Sequence, residues 1–138
     1  MPFLDNIRPN RSMRATFNEK AVAKAEEYLK DKGDILYVNI ANCSQSPRWL
    51  NHWFIITSEY VLLYPITTIP LYWVNSEKIS NIYFFKGRYN KVFDYSTIKI
   101  DGIPKFTIND PLAIYDTCYN SRAYIEIEAI LRECKAPI

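Results

Sequence analysis

The spacing of apolar and polar residues changes repeatedly along this chain, and each change marks an element. In TFNEKAVAKAEEYLKDKG, Val22, Ala25, Tyr28 and Leu29 recur at helical spacing. Thr16 and Glu19 are placed for a capping box, Lys30 and Lys32 suit the negative end of the dipole, and Gly33 suits the position just past the end. The pattern predicts a helix over 17–32. DILYVNIANCS then switches to a period of two, but Leu36, Val38 and Ile40 are as apolar as Ile35 and Tyr37. This fits a strand that is covered on both faces or leads into a bend.

HWFIITSEYVLLY is apolar enough to raise the question of a membrane span. A spanning helix needs about 20 apolar residues with few charges. Here Ser58 and Glu59 interrupt, and Pro65 and Pro70 would break a helix interior. The segment is rich in Ile, Val, Tyr and Trp, which suit strands. It therefore predicts two strands, Trp53–Thr57 and Tyr60–Tyr64, reversing at Ser58-Glu59. A third strand is expected at Ile69–Val74, a polar break at NSEK, a fourth strand at Ile79–Phe85, and a basic loop at KGRYNK bent at Gly87. In STIKIDGIPKFTI, an odd-length loop such as Asp101–Ile103 sets Ile98 opposite Phe106 and keeps the apolar sets on one face, whereas a two-residue loop mixes the faces. Pro104 suggests a sheet edge. Asp110-Pro111 can start a short helix over 111–118. Tyr124, Ile127, Leu131 and Cys134, widened by Ile130, predict a helix over 121–134 with Glu126, Glu128, Arg132 and Glu133 on its wet side.

At 138 residues the chain suggests one domain, large enough for a core without disulfides or a structural metal. We expect a flexible arm over 1–16, in which Arg8, Arg11 and Arg14 are solvated or, as the alternative, form a small basic arm, and a single domain over 17–138. The N-terminus has no apolar signal region. Eleven Tyr, seven Phe and three Trp favour strands, and only three Gly argue against glycine-rich phosphate loops. Cys43, Cys118 and Cys134 are odd in number and lack metal-ligand spacing, which fits reduced thiols in a cytoplasmic protein. A net charge of +2 is too small to point to nucleic acid.

The predicted order is a helix, about six or seven short antiparallel strands and a C-terminal helix: a mainly β fold with capping helices. A partly open barrel plugged at one end by an amphipathic helix has this order. RWLNHWFIITSEYVLLY resembles the second and third strands of pleckstrin-homology (PH) domains. ITSEYVLLY followed by IPLYWVNSEKISNIYFFKG is similar to the bacterial PH-like domains, where a Thr-containing strand pair leads to an Ile-Pro-Leu segment. The resemblance covers about residues 34–135 and lies in the order of segments more than in single residues. It implies a PH-like barrel carrying an extra N-terminal helix, and a non-catalytic binding module without a cofactor. Inositide-binding members cluster Lys and Arg around the first strand pair, and here that stretch carries only Arg48.

The candidate contact residues are Arg48, Trp49 and His52 on one loop and Lys86, Arg88 and Lys91 on another, expected together at the open end of the barrel. Trp49 beside Arg48 has the composition of an interface anchor, although it can equally pack on the barrel rim. Trp53 and Trp73 read as core. His52 is the only histidine and has no sequence neighbour placed to activate it, so an enzyme is the remote reading. Lys86, Arg88 and Lys91 with Tyr89 between them fit an anionic membrane surface or a protein partner, against the plain alternative of a solvated tip. KGRYNKVF departs from an RNA-binding strand, because Arg and Asn interrupt its aromatics, and no nucleic-acid partner is expected. Glu26-Glu27 and Glu126-Glu128 lie on predicted helices without converging, as solvated faces do. The expected location is cytoplasmic, with peripheral membrane contact open. The competing reading is a subunit that forms homo-oligomers through exposed edge strands near 69–74 or 104–108.

Overall fold

A computed structural model describes residues 2–8, 19–43, 51–66, 74–109 and 122–135. Helices α1 (Pro2–Asp5) and α2 (Glu19–Leu29) precede strands β1 (Ile35–Cys43), β2 (Asn51–Thr57), β3 (Tyr60–Pro65) and β4 (Asn75–Lys78). A 3₁₀ turn (Ile79–Asn81) leads to β5 (Phe85–Asn90), β6 (Tyr95–Ile100), β7 (Phe106–Asn109) and helix α3 (Ala123–Lys135). The seven strands form one antiparallel sheet in the order β4-β3-β2-β1-β7-β6-β5, curled into a half-barrel.

The doubly apolar strands are explained by two cores on opposite faces of the sheet. On the inner face, Tyr37, Ala41, Phe54, Ile56, Val61 and Leu63 meet Ile98, Phe106 and Ile108 from the other half, with Ile127 and Leu131 of α3 between them. Phe54 stacks on Phe106 with ring centroids 4.4 Å apart. On the outer face, Val38, Ile40, Trp53, Ile55 and Leu62 pack against Val22, Ala25 and Leu29 of α2 and Phe3 of α1. Because side chains alternate along a strand, a strand between two apolar layers carries no polar set.

Most predicted elements sit where the pattern placed them. The β2–β3 hairpin pairs Ile56 with Val61. Its turn needs no glycine because the Thr57 hydroxyl accepts the amides of Glu59 (3.2 Å) and Tyr60 (2.9 Å) and donates to the Lys32 carbonyl (2.7 Å). Gly33 ends the α2 segment with φ +98°. The β6–β7 hairpin sets Ile98 opposite Phe106, with Gly102 at φ +82° in the loop. Helix α3 buries Ala123, Ile127 and Leu131.

Five expectations are corrected. NSEK is no break: as β4 it pairs along β3, from Tyr60 opposite Lys78 to Leu63 opposite Asn75. Ile79–Phe85 is no strand: Ile79 and Ile82, three residues apart, are both buried through the 3₁₀ turn. Lys86 and Arg88 lie within β5 rather than in a loop, and the turn comes later, at 91–94. The 104–108 segment is no edge, because β7 pairs with β1 as well as with β6. Residues 2–8 also belong to the folded layer rather than to a free arm. Phe3 is buried edge-on to Trp53 at 5.2 Å, Val38 donates to the Asn6 carbonyl (3.0 Å), and Arg8 donates to the Val38 carbonyl (2.8 Å). The Arg8 guanidinium pairs with Glu126, so this acid of the expected wet side ties α3 to the N-terminus. The expected capping residue Thr16, Arg11, Arg14, most of the strand expected at 69–74, Trp73 and the helix expected over 111–118 lie outside the described residues.

Candidate functional site

The outer face of the sheet is covered by helices over β1–β3 and continues onto β7, β6 and β5, where no helix among the described residues packs on it. Register fixes what stands there. Phe85, Gly87 and Tyr89 pair with Ile100, Ile98 and Ser96 on the inner face, which leaves Lys86 opposite Lys99 and Arg88 opposite Thr97 on the outer face. Lys105 immediately precedes β7, next to the Ile98–Phe106 pair at the Lys99 end of the hairpin, and Thr107 follows on the strand opposite Thr97. Lys86, Arg88, Lys99 and Lys105 are all exposed, and Lys91 is exposed at the adjoining turn. None of these five has an ion-pair partner among the described residues. The outward positions of β5, β6 and β7 hold no acid, and the carboxylate at the loop, Asp101, accepts the Tyr83 amide at 2.8 Å.

Gly87 builds this face from beneath. A Cβ there would lie 2.5 Å from the Cβ of Tyr124, so the missing side chain lets α3 sit directly on β5. At the far end of α3, Lys135 donates to the Ile82 carbonyl and lies 4.4 Å from the Tyr83 ring centroid. The β5–β6 turn is equally fixed. The Asn90 side-chain oxygen accepts the amides of Val92 (2.9 Å) and Phe93 (3.0 Å), and Asp94 takes the left-handed conformation with φ +58°. The Asp94 carboxylate accepts the Tyr89 hydroxyl and faces Arg122 at 3.7 Å, while the Arg122 guanidinium lies 3.9 Å from the Tyr89 ring centroid.

The sequence candidates divide accordingly. Lys86, Arg88 and Lys91 come together with Lys99 and Lys105, which were missed as contact residues. The signal was present, because the hairpin register that pairs Ile98 with Phe106 also brings Lys99 beside Lys105. Arg48 and Trp49 lie outside the described residues. His52 is corrected as a contact residue: it sits inside β2 opposite Ala41 and Pro65 and is only 4% exposed. Alternation turns it to the inner face with Phe54, and its burial leaves little of it at the surface.

A cleft of about 560 Å³ opens elsewhere, between the β2–β3 turn, the 3₁₀ turn and the end of α3, where Glu59, Lys78, Ser80 and Cys134 line it. Burial, and then the neighbouring Glu133 charge, push the Cys134 thiol above its ordinary pKa, the opposite of what an attacking thiolate needs. Among the described residues, no cluster of three or more His, Cys, Asp or Glu could hold a metal ion, and no helix is long and apolar enough to cross a membrane. The chain matches no known protein-family model, and no curated protein matches its sequence.

Proposed function

We propose that this chain is a non-catalytic PH-like binding module that docks on an anionic surface, of a membrane or of an acidic protein partner, through the outer face of β5–β7. The carrying observation is the cross-strand pair Lys86–Lys99, joined by Arg88 and Lys105, on strands that themselves carry no acid; the nearest carboxylate, Asp101 at the loop, is engaged by the Tyr83 amide. Like charges directly opposite each other on a sheet cost stability. An acid at either position would relieve that cost, and a solvated face with no other role has no need of the pair. The strand order, with a C-terminal helix seated in the curl, supports the PH-like reading.

Each cation near an anionic surface contributes about 1 kcal/mol. Five of them give about 5 kcal/mol, a dissociation constant on the order of 0.1–1 mM. Charge alone therefore makes a weak, salt-sensitive contact. Assembly through open strand edges is less well supported. Those edges are β4 and β5, and Glu77 with Lys78 on one and Lys86 with Arg88 on the other place charges where a second chain would have to pair.

The test is titration of the full chain against polyglutamate and against phosphatidylserine vesicles over a salt series. Binding to at least one, weakened by salt and by Lys86→Glu with Arg88→Glu, is the expected result. Failure of both polyanions to bind at low salt overturns the reading.

A further inference from the structure

The β5–β6 turn carries Val92, 81% exposed, and Phe93, 66% exposed, at the tip of the hairpin that bears Lys86 and Arg88. Two adjacent apolar side chains are thus held mostly in water at this turn. The turn is not slack, because Asn90 and Asp94 fix the backbone on either side, and Asp94 does so at a positive φ that non-glycine residues seldom adopt. The fixed turn presents the two side chains outward before any partner arrives, which lowers the ordering cost of binding. Its chemistry is that of an interfacial wedge. The apolar pair leads, Lys91 adjoins it, and Arg88 follows on the strand within reach of a headgroup layer. The acid nearest the tip, Asp94, is offset by Arg122 and by the Tyr89 hydroxyl. Tyr28, Tyr83 and Phe84 are exposed as well; Tyr83 and Phe84 lie before β5 at its opposite end, where the Lys135 ammonium sits 4.4 Å from the Tyr83 ring centroid.

We infer that Val92 and Phe93 form a membrane wedge that inserts into the interfacial layer of an anionic bilayer while Arg88 and Lys91, backed by Lys86 and Lys99, contact the lipid phosphates and carboxylates. This rests on the anionic-surface reading and narrows its partner to lipid. An acidic protein offers the same charge but no acyl layer for an apolar tip.

The experiment is co-sedimentation of the full chain with vesicles of phosphatidylcholine alone and of phosphatidylcholine with an equal part of phosphatidylserine, in parallel with polyglutamate binding. The double variant Val92→Ser with Phe93→Ser is expected to lose affinity for the mixed vesicles on the order of tenfold, while its polyglutamate binding and its thermal midpoint stay unchanged. In a Phe93→Trp variant, brominated acyl chains are expected to quench the added fluorescence. Unchanged vesicle affinity in the double variant, or no added quenching at Trp in place of Phe93, overturns the wedge and leaves the anion-binding reading standing. So does wild-type binding to polyglutamate without binding to the mixed vesicles, or equal losses on both polyanions in the double variant. No wild-type binding to either polyanion overturns both.

Discussion

Lys99 is the position where binding and stability should pull in opposite directions. Its side chain stands opposite Lys86, with Lys105 on its other flank and no acid on the strand positions around it. A like-charge pair directly across a sheet costs some tenths of a kcal/mol, and an opposite pair gains a similar amount, with aqueous screening keeping both small. Lys99→Gln removes the repulsion, worth about 0.3–0.5 kcal/mol. Lys99→Glu adds attraction to Lys86 and Lys105, for a total gain of about 1 kcal/mol. In a chain of this size that corresponds to a rise in melting midpoint of about 3–4 °C. The order of stability should be Glu above Gln above Lys, and the order of affinity for anionic vesicles should be the reverse. Thermal and urea unfolding at low ionic strength measure the first, and co-sedimentation measures the second. Salt should compress both series, since the Debye length falls to about 10 Å at 0.1 M. A wild type that is as stable as Lys99→Glu at low salt would refute the claim that the pair is electrostatically strained. With it would go the argument that the pair is kept for an anionic partner.

Gly87→Ala should destabilise by about 1–2 kcal/mol, because a Cβ placed 2.5 Å from the Cβ of Tyr124 forces α3 outward, and the gain from stiffening the unfolded chain offsets only part of that. Urea midpoints check this, and an unchanged midpoint would mean that α3 does not rest on β5. Phe3→Ala should cost about 3–5 kcal/mol if α1 unfolds with the rest of the protein, since Phe3 is fully buried against Trp53; a loss under about 1 kcal/mol would show that α1 detaches independently. With Cys118→Ser as background, Cys43 should resist iodoacetamide because it is buried. Cys134 should react slowly at neutral pH and keep accelerating above the pH at which an ordinary thiol levels off, since its raised pKa delays the thiolate. Rapid labelling of Cys134 at pH 7 would contradict that direction.

The parts of the fold legible in the sequence were those where one physical signal had one solution. Ile98, Phe106 and Ile108 share a face in only one loop register, so the β6–β7 pairing could be read directly. Apolar residues at both parities of β1 pointed to a strand covered on two faces, and two layers do cover it. The misread parts had signals that depend on a distant partner. Asn75–Lys78 has no hydrophobic period, because its strand conformation comes from hydrogen bonds along the edge of β3. Gly87 looked like a bend, but its lack of a side chain serves helix α3, which lies more than thirty residues away in sequence. The true turn uses Asp94 at φ +58° with no glycine to mark it. Four-residue α1 is too short for any periodicity and is held by Phe3 and Arg8. The candidate site was half visible for the same reason. Lys86, Arg88 and Lys91 are close in sequence, whereas Lys99 and Lys105 join them only through pairing.

The two halves of the outer face account for where such a protein has room to bind. Over β1–β3 that face is apolar and must be covered, and Val22, Ala25, Leu29 and Phe3 cover it. Across the β1–β7 seam, where Asn42 pairs with Thr107, the same face turns polar and then basic. The inner face is closed throughout by α3 and by the sheet's own curl. Among the described residues, the sheet surface without a covering helix is therefore the outer face of β5–β7. The β5–β7 half is also the part of the sheet that α3 braces from behind, through Gly87 beneath Tyr124 and through Arg122 on Tyr89. A rigid backing matters for a face whose charges repel one another, because the repulsion would otherwise be relieved by the hairpin twisting away. On the proposed reading, the bracing helix and the basic hairpin belong to one device, with the first holding the shape of the second before an anionic surface is met.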